Sequence, residues 1–255
     1  MNDEPIAVLS DIHGNVRALD AVLADIARRG IEQIVHLGDC LYGPFDPGPV
    51  AERLLRSNWP AVSGNEDRAL LEAARGGPAS RTARFIVERV RHEHIDWLAR
   101  LPRTLTFDGL AFACHGTPTN DTRYLLNRPT EDGTMRPATD AEIVDRLGTI
   151  DAPLTLCGHD HLPRVVRLDD GRTIVNPGSV GCPAYTGDRP VPHRAENGSP
   201  RARYATVGFV NDRPVVNLIA IPYDWSAAAA EAVANGVPVW ARWLRTGRAT
   251  GWRKG

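Results

Sequence analysis

The chain has 255 residues, of which 42% are hydrophobic and 24% are charged, and its formal net charge is −1. This composition excludes a largely disordered chain, and it gives no overall positive charge that would attract a nucleic-acid polymer or a membrane surface. No run of eighteen apolar residues occurs, so we expect no transmembrane helix. The acidic, polar start is unlike a secretory signal and the four cysteines form no CxxC pair, so we expect a cytoplasmic protein with buried free thiols.

A shortage of lysine excludes several kinds of catalysis. The only lysine is Lys254, near the end of the chain, whereas a P-loop, a kinase site and a Schiff-base site each require one. The nucleophile motif G-x-S-x-G is also absent. We therefore expect catalysis to depend on aspartate, asparagine and histidine side chains rather than on a serine, cysteine or lysine nucleophile.

Apolar runs alternate with helical repeats over the first hundred residues. The pattern predicts strands at 5–9, 34–37 and 60–62, and helices at 16–30, 48–57, 66–75 and 81–100.

Hairpins dominate the second half of the chain. The predicted strands are 105–107 and 110–113, around an Asp108-Gly109 turn, then 154–157, 163–168, 172–176, 203–210 and 214–221, with one helix at 139–148. The stretches 116–138 and 182–201 lack periodicity, which predicts long loops of a kind that is usually functional or disordered. Together the two halves predict an α/β sandwich with mixed β-sheets.

We predict a main domain over 1–222 and a C-terminal helical appendage over 223–255 that packs on it. The appendage has two short helical segments, separated at Gly236 and Pro238. It also contains Trp225, Trp240 and Trp243. We expect these tryptophans to anchor the appendage rather than to bind a ligand.

Polar residues that can bind a metal ion follow several predicted strands, each near a glycine. They are two aspartates, one asparagine and four histidines: Asp11, His13, Asp39, Asn65, His115, His159 and His161. Because the carboxyl ends of strands in open α/β sheets collect ligand-binding groups, we expect these side chains to converge. The absence of cysteine from this set disfavours a structural zinc site. Seven ligands suit two divalent ions that share a carboxylate. Two such ions can activate water and hold a phosphoryl group.

These motifs resemble, in their order along the chain, those of the calcineurin-like metallophosphoesterases. They are Asp11-Ile12-His13-Gly14-Asn15, Gly38-Asp39, Gly64-Asn65, His115-Gly116 and Gly158-His159-Asp160-His161. The run from Asn176 to Gly181 resembles a further motif of the small bacterial members, so the resemblance spans about residues 5–220. It implies a four-layer αββα sandwich, in which two mixed β-sheets are flanked by helices.

The resemblance also implies which residues hold which ion. One ion would be held by Asp11, His13, Asp39 and His161, and the other by Asp39, Asn65, His115 and His159, with Asp39 shared. Manganese is the ion that we expect first, and iron, zinc or nickel also suit these donors.

The activity that the resemblance implies is hydrolysis of a phosphoester bond by a hydroxide that bridges the two ions. We expect Asp39, Asn65 and Glu66 to be catalytic. Glu66 stands where the family often has a histidine, so proton donation requires either a raised Glu66 pKa or another donor, such as His193 in the later loop. Without a working acid, substrates with good leaving groups are favoured.

Arg123, Tyr185 and His193 are the predicted substrate contacts, because arginine forks and aromatic rings suit phosphates and bases. The expected partner is a small phosphorylated substrate: a nucleotide, a dinucleoside polyphosphate or a small phosphodiester. A protein Ser/Thr phosphatase and a non-catalytic interaction module on the same fold are the alternatives. The presence of all seven donors favours an enzyme, and the oligomeric state stays open.

Overall fold

The computed structural model describes residues 5–107, 110–211 and 213–249. Its strands are β1 (Ile6–Leu9), β2 (Gln33–His36), β3 (Thr104–Phe107), β4 (Ala111–Cys114), β5 (Asn127–Pro129), β6 (Met135–Pro137), β7 (Leu154–Leu156), β8 (Arg164–Arg167), β9 (Thr173–Asn176), β10 (Ala184–Gly187), β11 (His193–Glu196), β12 (Ala202–Val210) and β13 (Arg213–Ile221). Its helices are α1 (Val16–Arg28), α2 (Gly48–Ser57), α3 (Asn65–Ala74), α4 (Arg81–Val87), α5 (His92–Arg100), α6 (Asp140–Leu147), α7 (Trp225–Ala234) and α8 (Pro238–Thr246). The predicted Asp108-Gly109 turn and Lys254 lie outside the described residues.

Two mixed sheets face each other across a shared core. The first sheet has the strand order β13-β12-β1-β2, and the second has the order β3-β4-β7-β9-β8. Both sheets combine parallel and antiparallel pairs. Alternate residues of β1 divide between its two sides: Ile6 and Val8 enter the core between the sheets, whereas Ala7 and Leu9 pack beneath helices.

Helices cover the outer face of each sheet. On the first sheet, α1 buries Leu19, Val22 and Ile26, and on the second sheet α6 buries Ile143 and Leu147. Complete burial of one such side chain is worth about 1.5–3 kcal/mol, so each helix is held chiefly by its apolar stripe. The predicted αββα sandwich with two mixed sheets is confirmed.

One predicted helix is divided in two. The region 81–100 forms α4 and α5, because the backbone of Arg91 is extended, with φ −85° and ψ 161°. The side chain of His94 then turns back to accept the Arg91 N–H at 3.2 Å, which caps α5. His94 is consequently buried and only 1% exposed. Its charged surroundings in the sequence predict a solvated side chain, and that prediction is wrong.

Both stretches without periodicity contain paired strands. The hairpin β5–β6 lies within 116–138, and the hairpin β10–β11 lies within 182–201. Their strands are short and mostly polar, so hydrophobic alternation does not mark them. The predicted strand at 60–62 is reduced to a single bridge between His36 and Ala61.

The two C-terminal helices pack together and against the body of the protein. Small side chains of α7 and Leu244 of α8 enclose the ring of Phe45. None of the described helices is both long and apolar enough to cross a membrane. All four cysteines are buried free thiols, as predicted.

The segment that follows β9 is hydrogen-bonded to the loop that follows β1. The Gly181 N–H donates to the Asp11 carbonyl at 3.0 Å, and the Asn15 side chain donates to the Gly181 carbonyl at 3.1 Å. A Cβ on Gly181 would lie 1.8 Å from the carbonyl oxygen of Ile12. Only glycine allows this close approach. Because the two hydrogen bonds join the segments at this point, the segments cannot separate without moving Asp11.

We predict that Gly181→Ala lowers the free energy of unfolding by about 1–3 kcal/mol, because the methyl group collides with a backbone carbonyl. The matched control is Gly208→Ala in β12, where the nearest atom to the added Cβ is 3.8 Å away and the expected loss is under about 0.5 kcal/mol. Urea unfolding measures both values. Equal stability of the two variants would contradict the close approach.

Candidate metal centre

Five residues of the predicted site have left-handed backbone conformations. The φ angles of Asp11, His13, Asp39, His159 and His161 are +56°, +52°, +55°, +72° and +59°. Residues other than glycine adopt this region rarely, and backbone strain of this kind concentrates at functional sites. The loops that follow β1, β2 and β7 therefore mark one edge of the sandwich as a candidate site.

Backbone hydrogen bonds join the loop that follows β1 to the loop that follows β2. The Asp11 N–H donates to the Gly38 carbonyl at 3.0 Å, and the His13 N–H donates to the Asp39 carbonyl at 3.1 Å. Gly64, just before α3, lies so close that a Cβ there would be 2.1 Å from Asp39 Oδ1. Three loops from distant parts of the chain consequently meet around Asp39.

Two histidines face each other on one side of the site, with 3.1 Å between His13 Nε2 and His161 Nε2. Their Nδ1 atoms lie 2.7 Å from the carbonyl oxygens of Tyr42 and Cys182 respectively. A carbonyl oxygen can only accept, so each Nδ1 carries a hydrogen, and in its neutral form each ring turns the lone pair of Nε2 toward the other. Asp11 Oδ1 lies 3.3 Å from His161 Nε2 and adds a third acceptor.

Atoms that accept hydrogen bonds also face one another on the other side of the site. His115 Nδ1 lies 2.7 Å from the Leu37 carbonyl oxygen, which leaves a lone pair on Nε2. That Nε2 lies 3.2 Å from Asp39 Oδ2 and 3.1 Å from Asn65 Oδ1, both of which are acceptors. The His159 ring is adjacent, with its centroid 5.0 Å from that of His115.

Asp39 lies between the two groups. Ligand atoms of Asp11, His13 and Asp39 are within 4.8 Å of one another, and so are those of Asp39, His115 and His159. Asp11 Oδ1 is buried without a hydrogen-bond partner among the described residues, which is costly for an anionic oxygen unless positive charge is beside it. Nitrogen and oxygen acceptors that face one another in this way fit divalent cations such as manganese, iron, zinc or nickel.

The pKa values of the candidate ligands also indicate that the site favours positive charge. Burial opposes protonation of His13 and His115, yet the nearby carboxylates raise the pKa of His13 to about 9 and that of His115 to about 10. Burial also opposes ionisation of Asp39, but His115 lowers the pKa of that carboxyl to about 2. Bound positive charge, whether protons or metal ions, is therefore favoured at this cluster.

A cysteine also lies near the first pair of histidines. Cys182 Sγ is within 4.8 Å of ligand atoms of His13 and His161. Burial raises the pKa of this thiol well above its ordinary value, and Sγ donates to the Ala184 carbonyl at 3.2 Å. A protonated, hydrogen-bonded thiol is a poor metal ligand, so we leave Cys182 out of the candidate set.

Asp67 is a functional residue that the sequence motifs do not single out. Its carboxylate accepts three backbone N–H groups, from Asp39 at 2.8 Å, Cys40 at 2.9 Å and Gly64 at 2.9 Å. It therefore joins the loop after β2 to the start of α3. Its position three residues after Gly64 is a capping-box spacing, and that is the signal that could have identified it.

Asp160 supports the loop that carries His159 and His161. It is fully buried, and its carboxylate accepts from the side chains of Asn127 at 2.7 Å and Asn176 at 2.8 Å. The motif at Asn176 therefore acts through Asp160 rather than as a direct ligand.

Glu66 lies beside the candidate ligands. Its backbone N–H donates to Asp39 Oδ1 at 2.9 Å, and its Oε2 lies 3.1 Å from His13 Nδ1. Burial and the Asp39 carboxylate raise the pKa of Glu66 to about 7, while His13 opposes the rise. The carboxyl is part of the cavity that surrounds the site.

The predicted substrate contacts occupy different places. Tyr185 lines the cavity, and its hydroxyl donates to Tyr124 at 2.8 Å. His193 is fully buried, with Nδ1 against the Val191 carbonyl and Nε2 against the Tyr124 hydroxyl, each at 2.7 Å. Arg123 lies in a neighbouring recess and not in this cavity.

The C-terminal helices also reach the site. Trp240 and Trp243 of α8 line the cavity, and the Trp240 ring meets the His13 ring edge-on with 5.8 Å between centroids. Trp225 instead packs on Tyr223. Trp240 and Trp243 also pack on the body of the protein, and the expectation that the tryptophans anchor the appendage rather than bind a ligand stays a prediction.

Comparisons with known proteins identify the family of this chain. A model of the calcineurin-like phosphoesterase superfamily domain matches residues 5–191. The uncharacterized protein MJ0912 of Methanocaldococcus jannaschii is 27% identical over 259 residues, which cover 92% of this chain and 94% of that protein. A metallophosphoesterase from Sphaerobacter thermophilus has a crystal structure with a TM-score of 0.72 and 28% identity, covering 97% of this chain and 100% of that chain. The hypothetical protein PH1004 from Pyrococcus horikoshii OT3 shares the fold, with a TM-score of 0.70, 18% identity and coverage of 96% and 99%.

We predict that Asp39→Asn weakens Mn²⁺ binding at least about 100-fold, because both groups of donors lose their common charge. Titration calorimetry of the metal-free protein measures the affinity and the number of ions bound. The control is Asp46→Asn, an exposed carboxylate that accepts the Gly48 N–H at 3.0 Å, and it should bind Mn²⁺ like the wild type. Wild-type affinity in Asp39→Asn would refute a shared role for this residue.

Proposed function

The chain belongs to the calcineurin-like phosphoesterase superfamily and is a metal-dependent phosphoesterase, and we propose that it uses two divalent ions to hydrolyse small phosphorylated molecules. The observation that carries this proposal is the convergence of acceptor atoms without donors, where Nε2 of three histidines faces the carboxylates of Asp11 and Asp39. The proposed ligands of one ion are Asp11, His13, Asp39 and His161, and those of the other are Asp39, Asn65, His115 and His159.

The chain orients these ligands before any ion arrives. Backbone carbonyls accept from Nδ1 of three candidate histidines, which keeps each Nε2 turned into the site. When bound, divalent ions would supply Lewis acidity that neutralises phosphoryl oxygens and lowers the pKa of the attacking water. Manganese is the ion that we propose first, with iron, zinc and nickel as alternatives.

Asn65 supports an anionic substrate from the start of a helix. It is the first residue of α3, a helix of ten residues, and its Oδ1 lies 3.1 Å from His115 Nε2. With Oδ1 directed to an ion, the amide N–H₂ can donate to a phosphoryl oxygen. The positive end of the helix dipole adds to the same attraction.

We propose that Glu66 orients His13 in the place where the family often has a histidine. Its Oε2 is 3.1 Å from His13 Nδ1, which directs its hydrogen to the Tyr42 carbonyl, so the carboxylate places negative charge beside that ring. This role does not require Glu66 to donate a proton to the leaving group. The proposal therefore favours substrates whose leaving group departs as a stable anion, such as nucleotides, dinucleoside polyphosphates and activated phosphodiesters.

For Glu66→Gln we predict about tenfold weaker Mn²⁺ binding, because the negative charge beside the His13 ring is lost. With saturating Mn²⁺, kcat for a nitrophenyl ester should change by less than about threefold. Glu72→Gln on the exposed side of the same helix is the control, and it should change neither value. A loss of activity that affects poor leaving groups alone, with unchanged Mn²⁺ affinity, would instead identify Glu66 as the general acid.

A substrate panel with Mn²⁺ tests the proposed function. The panel contains p-nitrophenyl phosphate, bis(p-nitrophenyl) phosphate, diadenosine tetraphosphate and a phosphoserine peptide, with Asp39→Asn as the inactive control. We expect hydrolysis of the nitrophenyl esters and the dinucleotide, and a decrease of at least about 100-fold in the control. Hydrolysis of the peptide alone would identify a protein phosphatase, and no hydrolysis despite bound ions would identify an interaction module.

A further inference from the structure

The cavity around the candidate metal centre is small. It encloses about 190 Å³, whereas sites for small organic ligands usually enclose about 300–1,000 Å³. A phosphoryl group fits there, but the rest of a nucleotide-sized substrate has to lie elsewhere. A second cavity, which we call the arginine recess, encloses about 970 Å³ and is lined by Asn120, Arg123, Tyr124, Arg128, Arg146 and Arg189 among others.

The recess begins one aromatic ring away from the candidate ligands. Tyr124 lines the recess, and its ring stacks on that of His159 with 4.7 Å between centroids. The hairpin β10–β11 borders both spaces, because Thr186 lines the cavity at the metal centre and Arg189 lines the recess. A substrate that crosses this hairpin can place one phosphoryl group in each.

Two of the arginines in the recess are compensated by carboxylates. Arg123 lies 3.3 Å from Asp145, and Arg128 lies 3.1 Å from Glu142, and both carboxylates line the same space. These four charges cancel at the recess, so they neither attract nor repel an anion strongly.

The other two arginines leave the recess positive. Arg146 is 9% exposed, its Nη1 donates to three backbone carbonyls of 124–127, and its Nε has no acceptor among the described residues. Its nearest carboxylate, Glu142, is 4.0 Å away. Arg189 is exposed and makes no ion pair with a residue that the structure describes. The uncompensated positive charges of the buried Arg146 and the exposed Arg189 favour an anionic ligand in the recess.

We propose that the arginine recess binds the distal anionic group of the substrate, so that the preferred substrates are phosphate chains with a second charged phosphoryl group, such as nucleoside polyphosphates. This rests on the proposed hydrolytic function of the metal centre. Arg189 is a specificity-determining residue in this account, because its guanidinium can hold two phosphoryl oxygens at once and no carboxylate of the described ranges pairs with it.

Arg189→Ala tests the proposal, and Arg167→Ala is the matched control. Arg167, on strand β8, is also exposed and also without an ion pair among the described residues, but it does not line the recess. For diadenosine tetraphosphate we expect Arg189→Ala to raise KM about tenfold with kcat within twofold of wild type. For p-nitrophenyl phosphate, which has no second phosphoryl group, both constants should be unchanged.

Binding without catalysis separates this proposal from the proposed function. Calorimetry with ADP and metal-free protein should give a Kd about tenfold higher for Arg189→Ala than for Arg167→Ala, and the difference should shrink in 0.5 M salt because exposed charges are screened. If no substrate is hydrolysed but this difference is found, the hydrolytic function fails and the recess stands as an anion site. If diadenosine tetraphosphate is hydrolysed and the two variants have equal KM and Kd, the recess proposal is overturned.

Discussion

An excess of acceptors over donors at one edge of the sandwich is the constraint on which the rest of the structure depends. Imidazole lone pairs and carboxylate oxygens of the site face one another at 3.1–4.0 Å. Such a cluster is stable only with positive charge among its members, and the raised pKa of His115, about 10, expresses the same demand. The surrounding framework keeps the acceptors from separating: left-handed backbone at Asp11 and Asp39, the three N–H groups on Asp67, and the tight contact of Gly181.

The sequence predicts the sandwich and the convergence of these residues for a simple reason. The carboxyl ends of the strands lie at a common edge of the sheet, so polar residues directly after buried strands meet there. The strands and helices themselves are identified by apolar residues that recur every two residues in strands and every 3.6 residues in helices. The residues that hold the ligands are harder to predict, because their partners are backbone groups from distant segments. Asp67 and Asp160 are examples, and so is His94, whose burial depends on a turn at Arg91 that the helical pattern does not signal. The hairpin β10–β11 escapes prediction because its strands lack apolar alternation.

Elements outside the match to the family model supply part of the wall around the centre. The match ends at residue 191, whereas Trp240 and Trp243 of α8 border the cavity, and β11 completes the hairpin that separates it from the arginine recess. Glu66, which is inside the match, lines the same cavity and also lies 3.1 Å from His13 Nδ1.

Anomalous diffraction at the manganese edge, from crystals grown with Mn²⁺, tests the central claim most directly. Two peaks about 3.5–4 Å apart are expected, with Asp39 bound to both, the His13–His161 pair at one and His115 with His159 at the other. A single peak that leaves Asp39 bound to one ion, or no peak between the facing histidines, would contradict the account.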